Sequence, residues 1–315
     1  MLDVQELRVE YHSLRGTVRA VADISLSLQK GSTLGLVGES GSGKSTFGFS
    51  LLRMVPPPGR IVAGEISFDG LELLEQSENK MRRIRGSQIS MIFQDPMTSL
   101  NPVKKIRDHF IELYRTHDQN VTKEEAISKA AKLLDSLGIG RDRMNDYPHQ
   151  FSGGMRQRVM IGLAIALNPK LIVADEPTTA LDVIVEAQIL ELLMQLKEEH
   201  QLTMILITHN IGIVAEMADV IGVMYAGELV ELGPAEDVFK DPLHPYTKGL
   251  LESAPNIDNP ERSMRPVPGA PPDLISPPSG CKFHPRCPRA FEPCPYREPK
   301  IRETRGRLVA CHLYD

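Results

Sequence analysis

A short apolar run, Thr33-Leu34-Gly35-Leu36-Val37, leads directly into Gly38-Glu39-Ser40-Gly41-Ser42-Gly43-Lys44-Ser45, and Ser45 to Met54 is a helix-compatible stretch. The middle segment fits G-x-x-x-x-G-K-[ST], and the strand–turn–helix setting it needs lies on either side. The glycines let backbone N–H groups point into one concavity, and the N-terminus of the following helix adds partial positive charge. Gly38, Ser40, Gly41, Ser42 and Gly43 would line that concavity. Lys44 would reach the β- and γ-phosphates of a nucleotide, Ser45 would take Mg²⁺, and Thr46 can bond a phosphate oxygen. An ordinary glycine-rich turn is the alternative, and the flanking strand and helix argue against it.

The rest of the chain alternates strands with helices, which predicts an α/β sandwich with a largely parallel sheet. Residues 2–12 and Val21 to Leu28 alternate apolar with polar and can pair as an antiparallel ribbon. Further strands are predicted around Ile66–Phe68, Ile89–Phe93, Lys170–Ala174, Thr203–Ile207 and Val220–Tyr225. Helices are predicted over Glu124–Leu137, Arg156–Leu167 and Val183–His200. The stretch 103–146 reads as mostly helical and sits inside the α/β pattern, so it is an insertion. Past Gly233 the composition changes, and residues 255–280 hold eight prolines with little periodicity, an extended and irregular segment.

Leu171-Ile172-Val173-Ala174-Asp175-Glu176 ends an apolar strand in two carboxylates. Hydrolysis of a γ-phosphate needs one acid for the metal and one for the attacking water, so Asp175 is assigned to Mg²⁺ and Glu176 to the water. Taken alone, such a pair is as often a plain strand end; the phosphate loop makes the functional reading the better one.

Phe151-Ser152-Gly153-Gly154-Met155-Arg156-Gln157-Arg158 resembles the signature of ATP-binding-cassette (ABC) proteins. Gln94 in Phe93-Gln94-Asp95-Pro96 resembles the Q-loop glutamine, Thr179-Ala180-Leu181-Asp182 the D-loop, and His209 in Ile207-Thr208-His209-Asn210 the switch histidine. Tyr11 sits where the family carries an aromatic that stacks on adenine. Taken singly, His209 could be a strand-end histidine, Gln94 a loop residue, Tyr11 a packing residue, and Ser152 an N-cap for the helix that follows. The resemblance implies an ABC-type P-loop ATPase, with a largely parallel core sheet, an antiparallel β subdomain and an inserted helical subdomain. It also implies catalytic roles for Glu176, His209 and Gln94, and Mg²⁺ at Ser45, Gln94 and Asp175. Ser152, Gly153, Gly154 and Asp182 would act on the ATP of a second subunit, because this family sandwiches two ATP molecules in a head-to-tail dimer. The usual signature has Gln in the place of Met155, and Met there is frequent in the peptide-importer branch.

Several segments are similar to the ATPase subunits of dipeptide and oligopeptide importers: Phe93 to Pro102, Tyr147 to Met155, Ala174 to Asp182, Val223 to Gly227, His244-Pro245-Tyr246-Thr247, and Gly280-Cys281 with Pro285-Arg286-Cys287-Pro288. The implied organisation is an ABC ATPase domain over 1–235, its helical insertion at about 103–165, and a C-terminal extension over 236–315. The implied partners are a second ABC ATPase subunit (a paralogue or a copy of this chain), two permease subunits and an extracytoplasmic substrate-binding protein. A formal net charge of −5 argues against a dominant nucleic-acid-binding surface. No apolar run approaches the ~18–20 residues that span a bilayer, and the start lacks a signal-peptide pattern. Together with the resemblance, this implies a peripheral location on the cytoplasmic face of the membrane. Nickel, glutathione and some sugar importers share this extension and stay open as alternatives. So does a soluble ABC ATPase outside transport, although that class usually carries two cassettes or a long coiled coil. Within the Q-loop stretch Gln94–Pro102, Met97 and Leu100 are expected to be exposed toward a membrane subunit.

All four cysteines, Cys281, Cys287, Cys294 and Cys311, fall in the last 35 residues, spaced C-x5-C-x6-C-x16-C. A cytoplasmic chain disfavours disulfides. Structural zinc usually pairs cysteines at two to four intervening residues, and no such pair occurs. The wider gaps predict a 4Fe–4S iron–sulfur cluster, with zinc as the alternative. Some members of the importer family resemble this arrangement, and the expected role is to pin a proline-rich extension that cannot build its own core.

Overall fold

Alternation in the first residues produces a curved antiparallel sheet. Strand β1 (Leu2–Ser13) pairs with β2 (Gly16–Leu28), Leu2 opposite Leu28 and Tyr11 opposite Val18. Leu2, Val4, Leu7 and Val9 of β1 and Val21, Ile24, Leu26 and Leu28 of β2 are buried, as a period of two requires. β3 (Thr33–Val37) is buried along its whole length, and α1 (Lys44–Leu51) follows the glycine-rich loop. The helix stops before the predicted Met54, and Arg53 just past its C-cap is left-handed (φ +50°). β4 (Gly59–Phe68) pairs antiparallel with the other edge of β1, and β5 (Leu71–Glu72) closes this sheet.

The computed structural model describes residues 1–179, 181–253 and 266–315. They form two compact units, Met1–Gln76 with Leu206–Asp315, and Ser77–Ile205. Ala180 of the D-loop and residues 255–265 of the proline-rich segment lie outside the described residues, and residues 266–280 carry neither helix nor strand.

The second unit opens with α2 (Glu78–Ile84), capped by the Ser77 side chain. β6 (Ile89–Ile92) follows, then α3 (Pro96–Ser99), α4 (Ile106–His117) and α5 (Lys123–Ser136). Thr122 and Glu125 form a reciprocal capping box at the start of α5. α4 buries Ile106, Phe110 and Tyr114, and α5 buries Ala126, Ala130 and Leu134, one face of each. α6 (Gly153–Ile165) leads to β7 (Leu171–Asp175), which is parallel to β6, Met91 facing Val173. α7 (Val183–His200) and β8 (Thr203–Thr208) complete the unit, the last three residues of β8 belonging to the first one.

Back in the first unit, α8 (Ile211–Met217) precedes β9 (Val220–Tyr225), which runs parallel to β3. β10 (Glu228–Pro234), α9 (Ala235–Lys240) and α10 (Pro245–Ser253) follow. The C-terminal residues then join the sheet: β11 (Arg302–Thr304) pairs with β12 (Arg307–Val309), and β12 pairs with β10. The strand order in this unit is β11-β12-β10-β9-β3-β8.

Glu231 on β10 ties these pieces together. It is fully buried and accepts the backbone N–H groups of Leu243 (3.0 Å) and His244 (2.9 Å), with Arg307 Nη1 at 3.4 Å. Removing one partner of a buried ion pair strands the other, at a cost of about 3–5 kcal/mol. Glu231→Ala is therefore expected to lower the melting temperature of the purified chain sharply. An unchanged melting curve would mean that the pair contributes nothing to the fold.

Candidate functional site

The loop that follows β3 closes on its own lysine. Lys44 is 5% exposed, and its Nζ donates to Gly38 O (2.7 Å), Glu39 O (2.9 Å) and Ser42 Oγ (3.3 Å). Gly43 stands at the N-cap of α1 with φ +102°, and a Cβ there would lie 2.0 Å from Ala20 O. Only glycine meets both demands. No side chain caps the N-terminus of α1, so that end keeps the character of an anion site. Gly41, at φ +77°, has open space where its Cβ would be, which leaves the mouth of the cradle clear. The residues present therefore fit a bound triphosphate. Tyr11 on β1 reaches the same place, its hydroxyl 3.4 Å from Thr46 Oγ1. Its ring lies over Gly59, where a Cβ would come within 2.6 Å of the ring.

The second unit holds the carboxylates. Asp175 ends β7 and is 2% exposed. Glu176 takes a left-handed conformation (φ +46°), uncommon for a residue with a Cβ. Its Oε2 accepts from Gln94 Nε2 at 2.9 Å and from Thr179 Oγ1 at 2.8 Å. Gln94 and Glu176, 82 positions apart in sequence, are thus brought into direct contact. Thr179 was not singled out from the sequence; a hydroxyl three residues after the acid, inside the D-loop, was the available signal.

Ser152 caps α6, its side chain accepting from Met155 N at 3.3 Å, and Gly153 and Gly154 form the first turn. A Cβ on Gly154 would sit 2.5 Å from Val185 Cγ1, so this glycine permits the close approach of α6 and α7. Asp182 caps α7 by accepting from Val185 N at 3.0 Å. His209 is exposed at the end of β8. Tyr11, the phosphate loop and His209 belong to the first unit; Gln94, Ser152, Gly153, Gly154, Asp175, Glu176 and Asp182 belong to the second.

Two expectations are corrected. Leu100 is buried, at 2% exposure, because it ends α3 and turns inward, whereas Met97 (57%) and Val103 (79%) stand out. The iron–sulfur assignment also fails, and its zinc alternative with it. Cys281, Cys287, Cys294 and Cys311 are all free, and among the described residues no group of three or more His, Cys, Asp or Glu could hold a metal ion. Burial pushes the Cys281 thiol up to about 12 and the Cys311 thiol up to about 11, and raises Cys287 as well. At Cys281, Cys287 and Cys311 burial disfavours the thiolate form that cluster and zinc ligation both take. The extension is pinned by other means: Arg307 on Glu231, Lys282 Nζ on Glu228 Oε1 (2.8 Å), and Cys281 N–H on Cys294 O (2.8 Å).

Residues 21–179 match the family described as ABC transporter, and residues 230–294 match the family described as oligopeptide/dipeptide transporter, C-terminal region. The oligopeptide transport ATP-binding protein OppD of Escherichia coli (strain K12) is 48% identical, over 99% of this chain and 92% of its own. The dipeptide transport ATP-binding protein DppD of Bacillus subtilis (strain 168) is 46% identical, over 100% of this chain and 95% of its own. An ATP-binding cassette solved as a dimer in a post-hydrolysis state with ADP and Pi superposes with a TM-score of 0.66 at 27% identity, covering 75% of this chain and 99% of that one.

Proposed function

The chain belongs to the ABC transporter family and carries the C-terminal region of its oligopeptide/dipeptide branch, and on that premise we propose that it is the ATP-hydrolysing subunit of a di- or oligopeptide importer. The observation that carries this reading is a phosphate loop already closed around Lys44, in the same unit as the His244-Pro245-Tyr246 extension.

In this reading Lys44 and the N–H groups of the loop take the β- and γ-phosphates, Thr46 takes a phosphate oxygen, and Tyr11 stacks on adenine. Ser45, Gln94 and Asp175 would hold Mg²⁺, which supplies positive charge against the phosphates when bound. Glu176 takes the proton of the attacking water, and the bonds from Gln94 and Thr179 aim its carboxylate. His209 senses the γ-phosphate. Ser152, Gly153, Gly154 and Asp182 serve the ATP of a second ATPase subunit, a copy or a paralogue, so hydrolysis requires a closed dimer.

Among the described residues no helix is long and apolar enough to cross a membrane. Two permease subunits would supply the translocation path, an extracytoplasmic binding protein would deliver the peptide, and this chain would sit peripherally on the cytoplasmic face. Met97 and Val103, apolar and exposed beside the Q-loop, are the surface offered to a permease. Met97→Asp is expected to cut transport about tenfold or more, as at an interface hot spot, with ATP affinity unchanged. Equal loss of ATP binding would make the segment merely structural. The whole reading is tested by purifying a tagged chain from native membranes. Recovery with two membrane subunits and a second ATPase supports it; recovery with ribosomes in place of membrane subunits contradicts it.

A further inference from the structure

We propose that the C-terminal extension is a clamp on the phosphate loop, in which Arg286 and Tyr246 are positioning residues that set nucleotide affinity through Glu39. The inference rests on the assignment of the loop to ATP.

Glu39 is the second residue of the loop, and an acid there faces an electrostatic difficulty. A carboxylate beside a triphosphate site repels the ligand unless it is neutralised and turned aside. Here it is. Arg286 Nη1 lies 2.7 Å from Glu39 Oε2, and Arg286 Nη2 lies 2.8 Å from Glu39 Oε1, a bidentate pair. The Arg286 side chain is only 6% exposed. Its Nε donates to Pro268 O (2.7 Å) and its Nη1 also reaches Tyr225 Oη (3.3 Å), so the guanidinium is fixed from several sides.

The backbone of Glu39 is held as well. Its N–H donates to Tyr246 Oη at 2.9 Å, and its carbonyl accepts from Lys44. Tyr246 is fully buried, with its ring 4.6 Å from that of Tyr225 and 5.3 Å from that of Phe283. That packing leaves the hydroxyl little freedom. A second grip acts farther along the loop: Lys282 Nζ donates to Ala226 O (3.2 Å), and the next residue, Gly227, donates its N–H to Ser42 O (3.0 Å). The His-Pro-Tyr motif and the Pro-Arg-Cys segment, remote from the loop in sequence, therefore converge on one loop residue. Extension and cradle are coupled, so a change in either alters the other's equilibrium.

The test is a fluorescence titration of the full-length chain with trinitrophenyl-ATP, displaced by ATP. Arg286→Ala leaves the Glu39 charge unpaired and is expected to weaken ATP binding about tenfold or more. Glu39→Gln alone is expected to bind at least as well as the unsubstituted chain. The double variant Glu39→Gln/Arg286→Ala is expected to recover to within about threefold of Glu39→Gln, since no charge then remains to neutralise. A purely architectural role for Arg286 would give no such rescue, and a loss that Glu39→Gln does not repair overturns the proposal. Should Arg286→Ala fail to fold, Tyr246→Phe decides. It keeps the ring and removes only the acceptor for Glu39 N–H, so weaker ATP binding supports the clamp and unchanged binding overturns it. Failure of the unsubstituted chain to bind ATP overturns the ATPase reading itself; normal binding with no effect of either Arg286→Ala or Tyr246→Phe overturns the clamp alone.

Discussion

Glu176→Gln should bind ATP as well as the unsubstituted chain and hydrolyse it about a hundredfold or more slowly, the usual contribution of a positioned general base. The substitution keeps the size and a hydrogen-bonding oxygen for Gln94 and Thr179, which hold Glu176 Oε2 at 2.9 and 2.8 Å. What it removes is the capacity to take a proton from water. The effect should therefore appear in kcat and leave affinity alone. Phosphate release by the assembled transporter is the measurement, with equilibrium ATP binding alongside it. Turnover within a few-fold of normal would remove Glu176 from the role and return the acid pair to being a strand end.

Lys44→Met should do the opposite and abolish the site at the binding step, weakening ATP affinity about a hundredfold. Two losses coincide. One is the cation set against the phosphates. The other is internal: Lys44 Nζ gathers Gly38 O, Glu39 O and Ser42 Oγ, and a thioether gathers none of them. Lys44→Arg should fare little better, because a planar guanidinium does not reproduce the three contacts that the compact ammonium gathers. Affinity is measured on the purified chain by equilibrium titration. Binding unchanged by Lys44→Met would separate the loop from the nucleotide.

Patterns carried by local periodicity could be read before the structure. β3, α7 and β9 occupy the residues that apolar runs or 3.6-residue spacing predict, and the caps at Ser152 and Asp182 stand where a hydroxyl and a carboxylate precede helices. The contact between Gln94 and Glu176 carries no local signal, since the two are far apart in the chain. Elements that depend on distant partners were hidden. β11 and β12 are three-residue strands that exist because β10 offers an edge, and nothing in their own sequence announces it. Glu231 carries no local sign of burial, yet Arg307 and two backbone N–H groups hold it wholly inside. Glu39 reads as a variable position of the loop, and its meaning depends on Arg286 far along the chain. Cysteine spacing misled for a related reason: it records where thiols stand along the chain and not the burial that disfavours the thiolate at Cys281 and Cys311. Leu100 misled because it caps the end of α3 and is buried there, whereas Met97 inside the same short helix is exposed.

The central claim is that ATP hydrolysed at this chain drives peptide import. Uptake of a labelled di- or oligopeptide by cells whose only copy of this subunit is the unsubstituted chain, Lys44→Met or Glu176→Gln tests it most directly. Accumulation is expected with the unsubstituted chain and its loss with both variants, at equal amounts of each protein in the membrane fraction. Peptide uptake that persists with both variants, while uptake of nickel ion, glutathione or a sugar disappears, would contradict it.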